Sequence, residues 1–446
     1  MSIYFSSENE PILKDWRLVL AVGLLFAAAL PVQIFAVPGF EITPALLLAP
    51  VALLLFDRKD KVHWAVVGFM AACGVLALFG MVGSEGRFRN IIGAASFTSG
   101  APYILLGMLL AKRRFAVGEM WKIVAPIGVA MTVIFVIDIY LNGGSLLKIS
   151  PYETVAYTSE ETTYIDSFFP FYGKYAVITL ATIAMVVGCL TLASALSIRG
   201  KWLRLATVLL STGLIFITFS LWTRQVMLGI VIFYAILLCL AFRQKETWIS
   251  LFFFLVLLGP WAYSLAYNSS EGKGGAATSE ITPQVFGNYK FNRAVDNIKK
   301  GDLDDLSTGR MAIYRDAGER LDARISAFGC GFCNLKDVLS FKFSSLHNVL
   351  LTAVFKGGIF YAILYCGGAF LSLILLWFSK KSFGRDVSVA TLLSIGAQSM
   401  VNDVLFFQVI PALMFALTGH SLANYLVRRS KAVKHGGAGV GNPTPL

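Results

Sequence analysis

The chain has 446 residues, of which 57% are hydrophobic and 14% are charged, and its mean hydropathy is +0.70. Soluble globular domains carry about 25% charged residues, so this composition excludes an ordinary soluble enzyme and indicates a protein in contact with membrane lipids. The formal net charge of +12 would suggest a nucleic-acid partner in a soluble protein. In a membrane protein, basic residues instead mark the cytoplasmic loops, so we expect no nucleic-acid partner.

Apolar runs bounded by charged residues predict an all-α polytopic membrane protein with about 12 transmembrane helices. The predicted spans are residues 17–37, 40–56, 62–83, 91–111, 121–141, 173–198, 203–222, 226–242, 247–267, 348–378, 387–402 and 406–427. The run 348–378 is longer than the ~20 residues that one span requires, and Gly357 and Gly358 predict a break within it.

The basic residues predict the orientation of these spans. More than half of the Lys and Arg residues fall on one side of the twelve-span topology, in clusters such as Lys112, Arg113 and Arg114. By the positive-inside rule this side is cytoplasmic, and both termini lie on it. In a bacterium the opposite side is the periplasm, so the predicted location is the inner (cytoplasmic) membrane, crossed many times.

This topology divides the chain into four parts. Residues 1–267 hold the first nine spans and include a smaller periplasmic loop at 142–172. Residues 268–346 form a large periplasmic loop with short helices, which is polar enough to carry catalytic residues. Residues 347–427 hold the last three spans, and residues 428–446 form a cytoplasmic tail.

One histidine lies on the predicted outer face, where the large loop returns to the membrane. The unperturbed pKa of an imidazole is about 6.5, so His347 is suited to take a proton from a sugar hydroxyl at neutral pH. The alternative is an interfacial histidine that only caps the following helix. Asn348, the next residue, is an expected substrate contact.

Arginines at the outer boundary predict an anion-binding site. Arg224 lies in a short polar link between two spans, where an arginine forced to helix-centre depth would cost up to about 2.5–3.5 kcal/mol. Its expected partner is a bound diphosphate, or the lipid phosphates that a snorkelling side chain reaches. Arg310 lies in the first turn of a predicted amphipathic helix, whose free N–H groups attract phosphate oxygens. Arg87 and Arg89, in a short outer loop, suggest a further anion contact.

Cys330 and Cys333 have the spacing of a redox motif on the oxidising side of the membrane. No thioredoxin-like pattern of strand and helix surrounds them, so we expect no redox catalysis. A local disulfide and two free thiols are both compatible with the sequence.

Four short motifs follow one another along about residues 205–378. They are Thr223-Arg224-Gln225 at a span junction, Ser307-Thr308-Gly309-Arg310, Gly329-Cys330-Gly331, and His347-Asn348 followed by Gly357-Gly358. In this order the chain resembles the O-antigen ligase and O-antigen polymerase family. The resemblance implies an inner-membrane glycosyltransferase that moves a glycan from undecaprenyl diphosphate to an acceptor hydroxyl on the periplasmic face, without a metal or another cofactor.

The same resemblance implies that Arg224 and Arg310 hold the diphosphate and that His347 activates the acceptor hydroxyl. A lipid diphosphate is a good leaving group, so positive charge on its oxygens matters more than a strong acid. Attack in line with that bond predicts inversion at the anomeric carbon.

The acceptor distinguishes two members of this family. It is lipid A-core sugar for a ligase, our first expectation, and a second lipid-linked glycan for an O-antigen or exopolysaccharide polymerase. A transporter of sugars or lipid-linked glycans is the alternative from another class, because twelve spans with both termini inside are common among transporters.

Overall fold

A computed structural model shows the fold of most of the chain. It describes residues 15–32, 35–37, 40–81, 87–141, 177–220, 224–271, 310–333, 346–401 and 408–436, and positions 335, 338, 403 and 405. These residues are mainly helical, apart from connecting turns and one antiparallel hairpin that pairs Phe35 with Ile42.

The elements follow in chain order. They are α1 (Trp16–Ala28), β1 (Phe35–Val37), β2 (Phe40–Ile42), α2 (Pro44–Ala52), α3 (Lys61–Met81), α4 (Arg87–Thr98), α5 (Tyr103–Lys112), α6 (Val117–Trp121), α7 (Ala125–Leu141), α8 (Val177–Ser194), α9 (Lys201–Ser220), α10 (Arg224–Ala241), α11 (Lys245–Glu271), α12 (Arg310–Arg320), α13 (Ala323–Phe328), α14 (Val349–Trp377), α15 (Phe383–Ser399) and α16 (Val409–Gly436). Short 3-10 turns extend α2 and α8, over Leu53–Leu55 and Ala195–Ser197.

Several helical segments are long and apolar enough to cross a bilayer. Among the described residues these are Lys61–Met81, Asn90–Lys112, Thr179–Ser197, Lys201–Ser220, Val349–Trp377 and Val409–Ser430. Shorter apolar helices cover Trp16–Ala28, Pro44–Leu55, Ala125–Ile137 and Gln225–Ala241. The chain is therefore a helical, membrane-embedded protein, while a count of twelve spans stays a prediction.

The first predicted span, 17–37, is wrong in its second half. The helix ends at Ala28, and a hairpin begins at Phe35. Pro31 cannot supply the backbone N–H that a continuing helix needs, and its ring disfavours helical backbone before it. The hairpin residues Phe35–Val37 and Phe40–Ile42 include β-branched and aromatic types that favour strands.

The predicted span 91–111 is also interrupted. Helix α4 ends at Thr98, and α5 starts at Tyr103 after a turn that contains Gly100 and Pro102. Pro102 is the residue before α5, a place where its missing N–H is tolerated. A Cβ on Gly100 would lie 2.8 Å from the backbone of Pro411, so this turn packs directly on α16.

Most of the two predicted periplasmic loops lies outside the described residues, so their predicted boundaries stay predictions. The smaller loop 142–172 lies outside the described residues, as does most of 268–309. Helix α12 ends at Arg320, and the side chain of Asp322 accepts a hydrogen bond from Ile325 N (2.7 Å) to start α13. The expected amphipathic helix is therefore two short helices. Helix α16 continues to Gly436, into the predicted tail.

Small residues let two helices approach closely. Gly107 of α5 faces the carbonyl of Ala416, and Gly419 of α16 faces the carbonyl of Ile104. A Cβ on either glycine would collide with that carbonyl. Close approach at small residues is the usual way in which helices associate inside a membrane, where the lipid is as apolar as the protein.

The two ends of the bundle differ in character. At the first end, which we name the charged end, Lys112 pairs with Asp60 and Arg113 pairs with Asp15. Burial raises the pKa of Asp60, but the hydrogen bond and charge of Lys112 outweigh it and hold this pKa below its ordinary value. Helix α3 starts beside this cluster and reaches the opposite end, where Gly80 packs against Gly331.

Helix α14 is broken at Gly358, as the sequence predicts. Gly358 has φ +83° and ψ 171°, so the helical path stops there and starts again. A Cβ at this position would collide with the carbonyl of Ala327, and the positive φ disfavours every residue with a side chain. The break therefore requires glycine.

We predict that Gly358→Ala lowers the stability of the protein, because the new methyl group adds strain of about 1–3 kcal/mol in a backbone region that is essentially restricted to glycine, as well as a collision. Gly367→Ala is the matched control, since Gly367 lies in the same helix with open space around it. The unfolding midpoint in detergent micelles, followed by circular dichroism, should fall for the first variant and not for the second. Equal midpoints for both variants would contradict the break.

Candidate functional site

His347 lies immediately before α14, at the end of the bundle opposite the charged end. It is half-buried, and its φ of +52° places it in the left-handed region. Tyr314 of α12 donates its hydroxyl hydrogen to the carbonyl of His347 (3.4 Å). A residue with a side chain adopts this conformation only where its surroundings hold it, and such residues cluster at functional sites.

Asn348, and not His347, caps α14. Its side-chain oxygen accepts a hydrogen bond from Leu351 N (3.0 Å), and its side-chain nitrogen donates to the carbonyl of Met400 (3.2 Å). The interpretation of His347 as a helix cap is therefore wrong, because the cap is the next residue. Asn348 has a structural role in addition to the substrate contact that the sequence suggests.

A buried carboxylate, Asp403, lies beside the first turn of α14. Thr352 donates its hydroxyl hydrogen to Asp403 (2.8 Å), and only 8% of Asp403 is exposed. The sequence prediction passed over this residue because it falls one position after the predicted span 387–402. An acidic residue between apolar runs was the available signal, since ionisable groups at membrane depth are usually functional.

Buried hydrogen bonds hold the link between α15 and α16 at this end. Gln408 accepts hydrogen bonds from the backbone N–H (3.1 Å) and the hydroxyl (2.7 Å) of Thr43. Its amide nitrogen donates to the hydroxyl of Ser96 (2.7 Å). Together with the bond from Asn348 to Met400, these contacts fix both ends of the link against other helices.

The two arginines expected to bind diphosphate each start a helix. Arg310 is the first residue of α12, one turn or about 6 Å along the helix before Tyr314, which contacts His347. Arg224 is the first residue of α10. The side chains of both arginines lie outside the described part of the structure.

The start of α10 lies at the same end of the bundle as His347. Ser394 of α15 donates a hydrogen bond to the carbonyl of Gly229, in the second turn of α10 (2.7 Å). Helix α15 then ends at Ser399, next to Met400, whose carbonyl accepts the hydrogen bond from Asn348. The backbones of Arg224, Arg310 and His347 are therefore grouped at one end.

Arg87 and Arg89 lie in the first turn of α4, and their side chains are also outside the described part. The contact of α4 with the glycine-rich segment of the large loop is made by Phe97, whose ring centroid lies 5.3 Å from that of Phe332. The described contacts do not connect either arginine with His347. Their predicted role stays a prediction.

We name residues Gly329–Cys333 the glycine loop. Gly329, Gly331 and Phe332 all have positive φ, at +71°, +72° and +59°. Cys330 and Cys333 form a disulfide, which settles the two alternatives left by the sequence. The N–H of Cys330 donates to the carbonyl of Phe355 (2.7 Å), and the N–H of Phe332 donates to that of Lys356 (2.9 Å).

Aromatic contacts anchor the glycine loop in the bundle. The Phe332 ring lies edge-on to Phe97 and to Tyr361, with centroids 5.3 Å and 5.2 Å away. The Lys356 ammonium lies 4.9 Å from the Phe97 centroid and donates to the carbonyl of Cys333 (3.3 Å). Lys356 therefore joins the glycine loop to α14 and α4.

An apolar groove of about 780 Å³ adjoins this site. It lies between α12, α13 and the part of α14 around the break, with Asn348 and Tyr314 among its lining residues. Leu350, Ile359 and Phe360 on its rim are exposed, so the groove is continuous with the apolar surface of a membrane helix. Such a lining suits a hydrocarbon chain.

Two further findings bear on the site. Among the described residues, no group of three or more His, Cys, Asp or Glu side chains could hold a metal ion, and the predicted metal-free chemistry stays a prediction. The chain matches no protein-family model, and it matches none of the curated proteins with which it was compared.

We predict that Asn348→Ala destabilises the protein by about 1 kcal/mol, because it removes the cap of α14. Asn348→Ser keeps a capping oxygen but loses the hydrogen bond to Met400, and should be intermediate in stability. Chemical unfolding of the three proteins in micelles measures this order. A serine variant no more stable than the alanine variant would contradict the cap.

Proposed function

We propose that this chain is a periplasmic-face glycosyltransferase, which moves a glycan from undecaprenyl diphosphate to the hydroxyl of lipid A-core as an O-antigen ligase does. The observation that carries the proposal is the grouping at one end of the bundle. His347 lies beside an apolar groove there, with the first residues of α10 and α12, both arginines, at the same end.

In this proposal His347 is the general base. A neutral imidazole takes the proton of the acceptor hydroxyl as that oxygen attacks the anomeric carbon. Asn348 supplies the cap of α14, so the chain does not need the histidine for that purpose. The carbonyl of His347 accepts a hydrogen bond from Tyr314, which supports its backbone at positive φ.

The two arginines balance the charge of the leaving group. Breaking the glycosidic bond leaves negative charge on the diphosphate, and guanidinium groups beside helix N-termini favour that charge. Arg310 and Arg224 are each placed at such an N-terminus. The displacement occurs in one step, in line, and therefore inverts the anomeric carbon.

The groove gives the polyprenyl chain of the donor a place beside the catalytic residues. Leu351 and Val354 line it near Asn348, and Ile359 and Phe360 line it at the outer rim. A lipid chain can enter this groove from the bilayer without contacting water, because the groove is apolar and open to the apolar helix surface. This continuity favours its binding.

The proposal includes the predicted location in the bacterial inner membrane, with both termini in the cytoplasm. Its support is the concentration of paired basic residues at the charged end, far along α3 and α14 from His347. Arg385, for example, donates to the carbonyls of Leu376 (3.0 Å) and Trp377 (2.9 Å), where α14 ends. Cytoplasmic ends of spans carry such basic residues.

We predict that His347→Ala lowers the transfer rate by about 10²–10⁴-fold, because it removes the general base. Arg224→Ala and Arg310→Ala should lower transfer by weakening the stabilisation of the leaving diphosphate. The assay uses purified protein in nanodiscs, a lipid-linked glycan donor and no ion gradient. His435→Ala and Arg429→Ala, in the last turns of α16, are matched controls that should retain activity.

Full transfer by a folded His347→Ala variant would contradict the role of this histidine, and a retained anomeric configuration would contradict the single displacement. Supplying lipid A-core and a second lipid-linked glycan as competing acceptors tests the ligase assignment. Elongation of the second glycan alone would assign a polymerase instead. Absence of any transfer, together with gradient-dependent movement of the glycan across a vesicle membrane, would assign a transporter.

A further inference from the structure

Helix α14 has an internal end at Gly358, where residues of the preceding loop and of α13 pack against it. The break at Gly358 interrupts the hydrogen bonds that carbonyls before it would accept from N–H groups one turn later. In an unbroken helix the carbonyls of Phe355 and Lys356 would accept hydrogen bonds from the N–H groups of Ile359 and Phe360. Phe355 is buried and Lys356 is half-buried, and a backbone carbonyl that is out of contact with water is unfavourable without a donor. The broken form of α14 therefore depends on donors from elsewhere.

The glycine loop supplies those donors. The N–H groups of Cys330 and Phe332 bind the carbonyls of Phe355 and Lys356, at 2.7 Å and 2.9 Å. The loop comes so close to α14 that a Cβ on Gly329 would collide with the backbone of Lys356. Each donor thus replaces a hydrogen bond that the break removes.

The shape of this loop is not one that its residues favour. Phe332 is a bulky residue with φ +59°, in a region that is unfavourable for residues with a side chain. The disulfide between Cys330 and Cys333 closes the loop around it. Both cysteines are partly exposed, whereas Cys73, Cys189 and Cys366 are buried.

We propose that Cys330 and Cys333 are a reversible redox site that controls the break in α14. In the oxidised form the glycine loop holds the carbonyls of Phe355 and Lys356, and the helix is broken. In the reduced form the loop relaxes, Gly358 adopts helical backbone angles, and these carbonyls bind the N–H groups of Ile359 and Phe360. Helix α14 is then continuous.

The redox step exchanges one disulfide for another. A small or protein dithiol gives two electrons and two protons to the Cys330–Cys333 disulfide, whose S–S bond breaks, and the dithiol becomes a disulfide. In the reverse reaction a disulfide of this class accepts two electrons and two protons from the two thiols. No other reactant is needed.

The consequence for the site follows from where the break lies. The segment from Val349 to Gly357 is about 14 Å long, and it starts next to His347. The groove lies across the break, with Val354 before it and Ile359 after it. A continuous α14 therefore changes the direction of the segment from Val349 to Gly357, next to which His347 lies. It also changes the shape of the groove. Any effect of this change on glycan transfer rests on the proposed function.

Hydrogen–deuterium exchange of the full chain in nanodiscs tests the proposal, before and after treatment with dithiothreitol. After reduction, the amides of Cys330 and Phe332 should exchange at least about tenfold faster, because their acceptors are lost. The amides of Ile359 and Phe360 should exchange more slowly, because they gain acceptors. Changes of opposite sign distinguish a switch from local unfolding.

Matched variants complete the test. The double variant Cys330→Ser with Cys333→Ser should show the reduced pattern and no response to dithiothreitol. Cys239→Ser removes an exposed cysteine of α10 and should leave the response intact. Gly367→Ala changes a glycine of α14 that lies away from the break and should also leave the response intact.

Three results would overturn the proposal. They are alkylation of Cys330 and Cys333 before any reductant is added, equal exchange in the two redox forms, and faster exchange throughout α14 after reduction. None of these readouts involves glycan transfer. A switch observed in a chain without transferase activity would therefore contradict the proposed function alone.

Discussion

The carbonyls of Phe355 and Lys356 impose the constraint on which this end of the molecule depends. A carbonyl that is out of contact with water needs a new hydrogen-bond donor where its helix is broken. The glycine loop supplies these donors. It has two glycines at positive φ, and it packs closely on α3, where Gly80 faces Gly331. Through these contacts the glycine loop packs on both α3 and α14.

A broken helix also gives the site its geometry. The first part of α14 is short and is held at both ends. At its end the glycine loop binds the carbonyls of Phe355 and Lys356, and at its start Asn348 and Thr352 form side-chain hydrogen bonds. His347 stands just before this piece, and the apolar groove follows its side. A straight span would direct the same residues along one continuous axis. The break therefore permits a polar site and a lipid-accessible groove to adjoin each other.

Much of the helical arrangement could be predicted from the sequence, because apolar runs between charged residues carry a strong signal. The break at Gly358 could also be predicted, since two adjacent glycines interrupt a run too long for one span. The hairpin after Ala28 and the turn before Tyr103 were missed, because hydropathy alone does not register a proline within an apolar run. Both are local backbone effects, which do not appear when hydropathy is averaged over a window of residues.

The site residues that the sequence suggests stay predictions, and the fold adds contacts that the sequence does not reveal. The order of Arg224, Arg310 and His347 along the chain indicated an outer-face site, but only the fold brings the starts of α10 and α12 to the same end. The hydrogen bonds from Asn348 to Met400 and from Thr352 to Asp403 join residues about 50 positions apart. Pairings at such distances leave no periodic signal in one sequence.

Photo-cross-linking of the donor tests most directly whether this end of the bundle is where the chemistry occurs. The probe is a polyprenyl diphosphate with a photoreactive group on the isoprene unit nearest the diphosphate, added to the protein in nanodiscs. We predict labelling of the groove beside His347, on α12 and the first part of α14, with competition by unlabelled donor. Labelling confined to helices at the charged end, or labelling that unlabelled donor does not reduce, would contradict the proposed site.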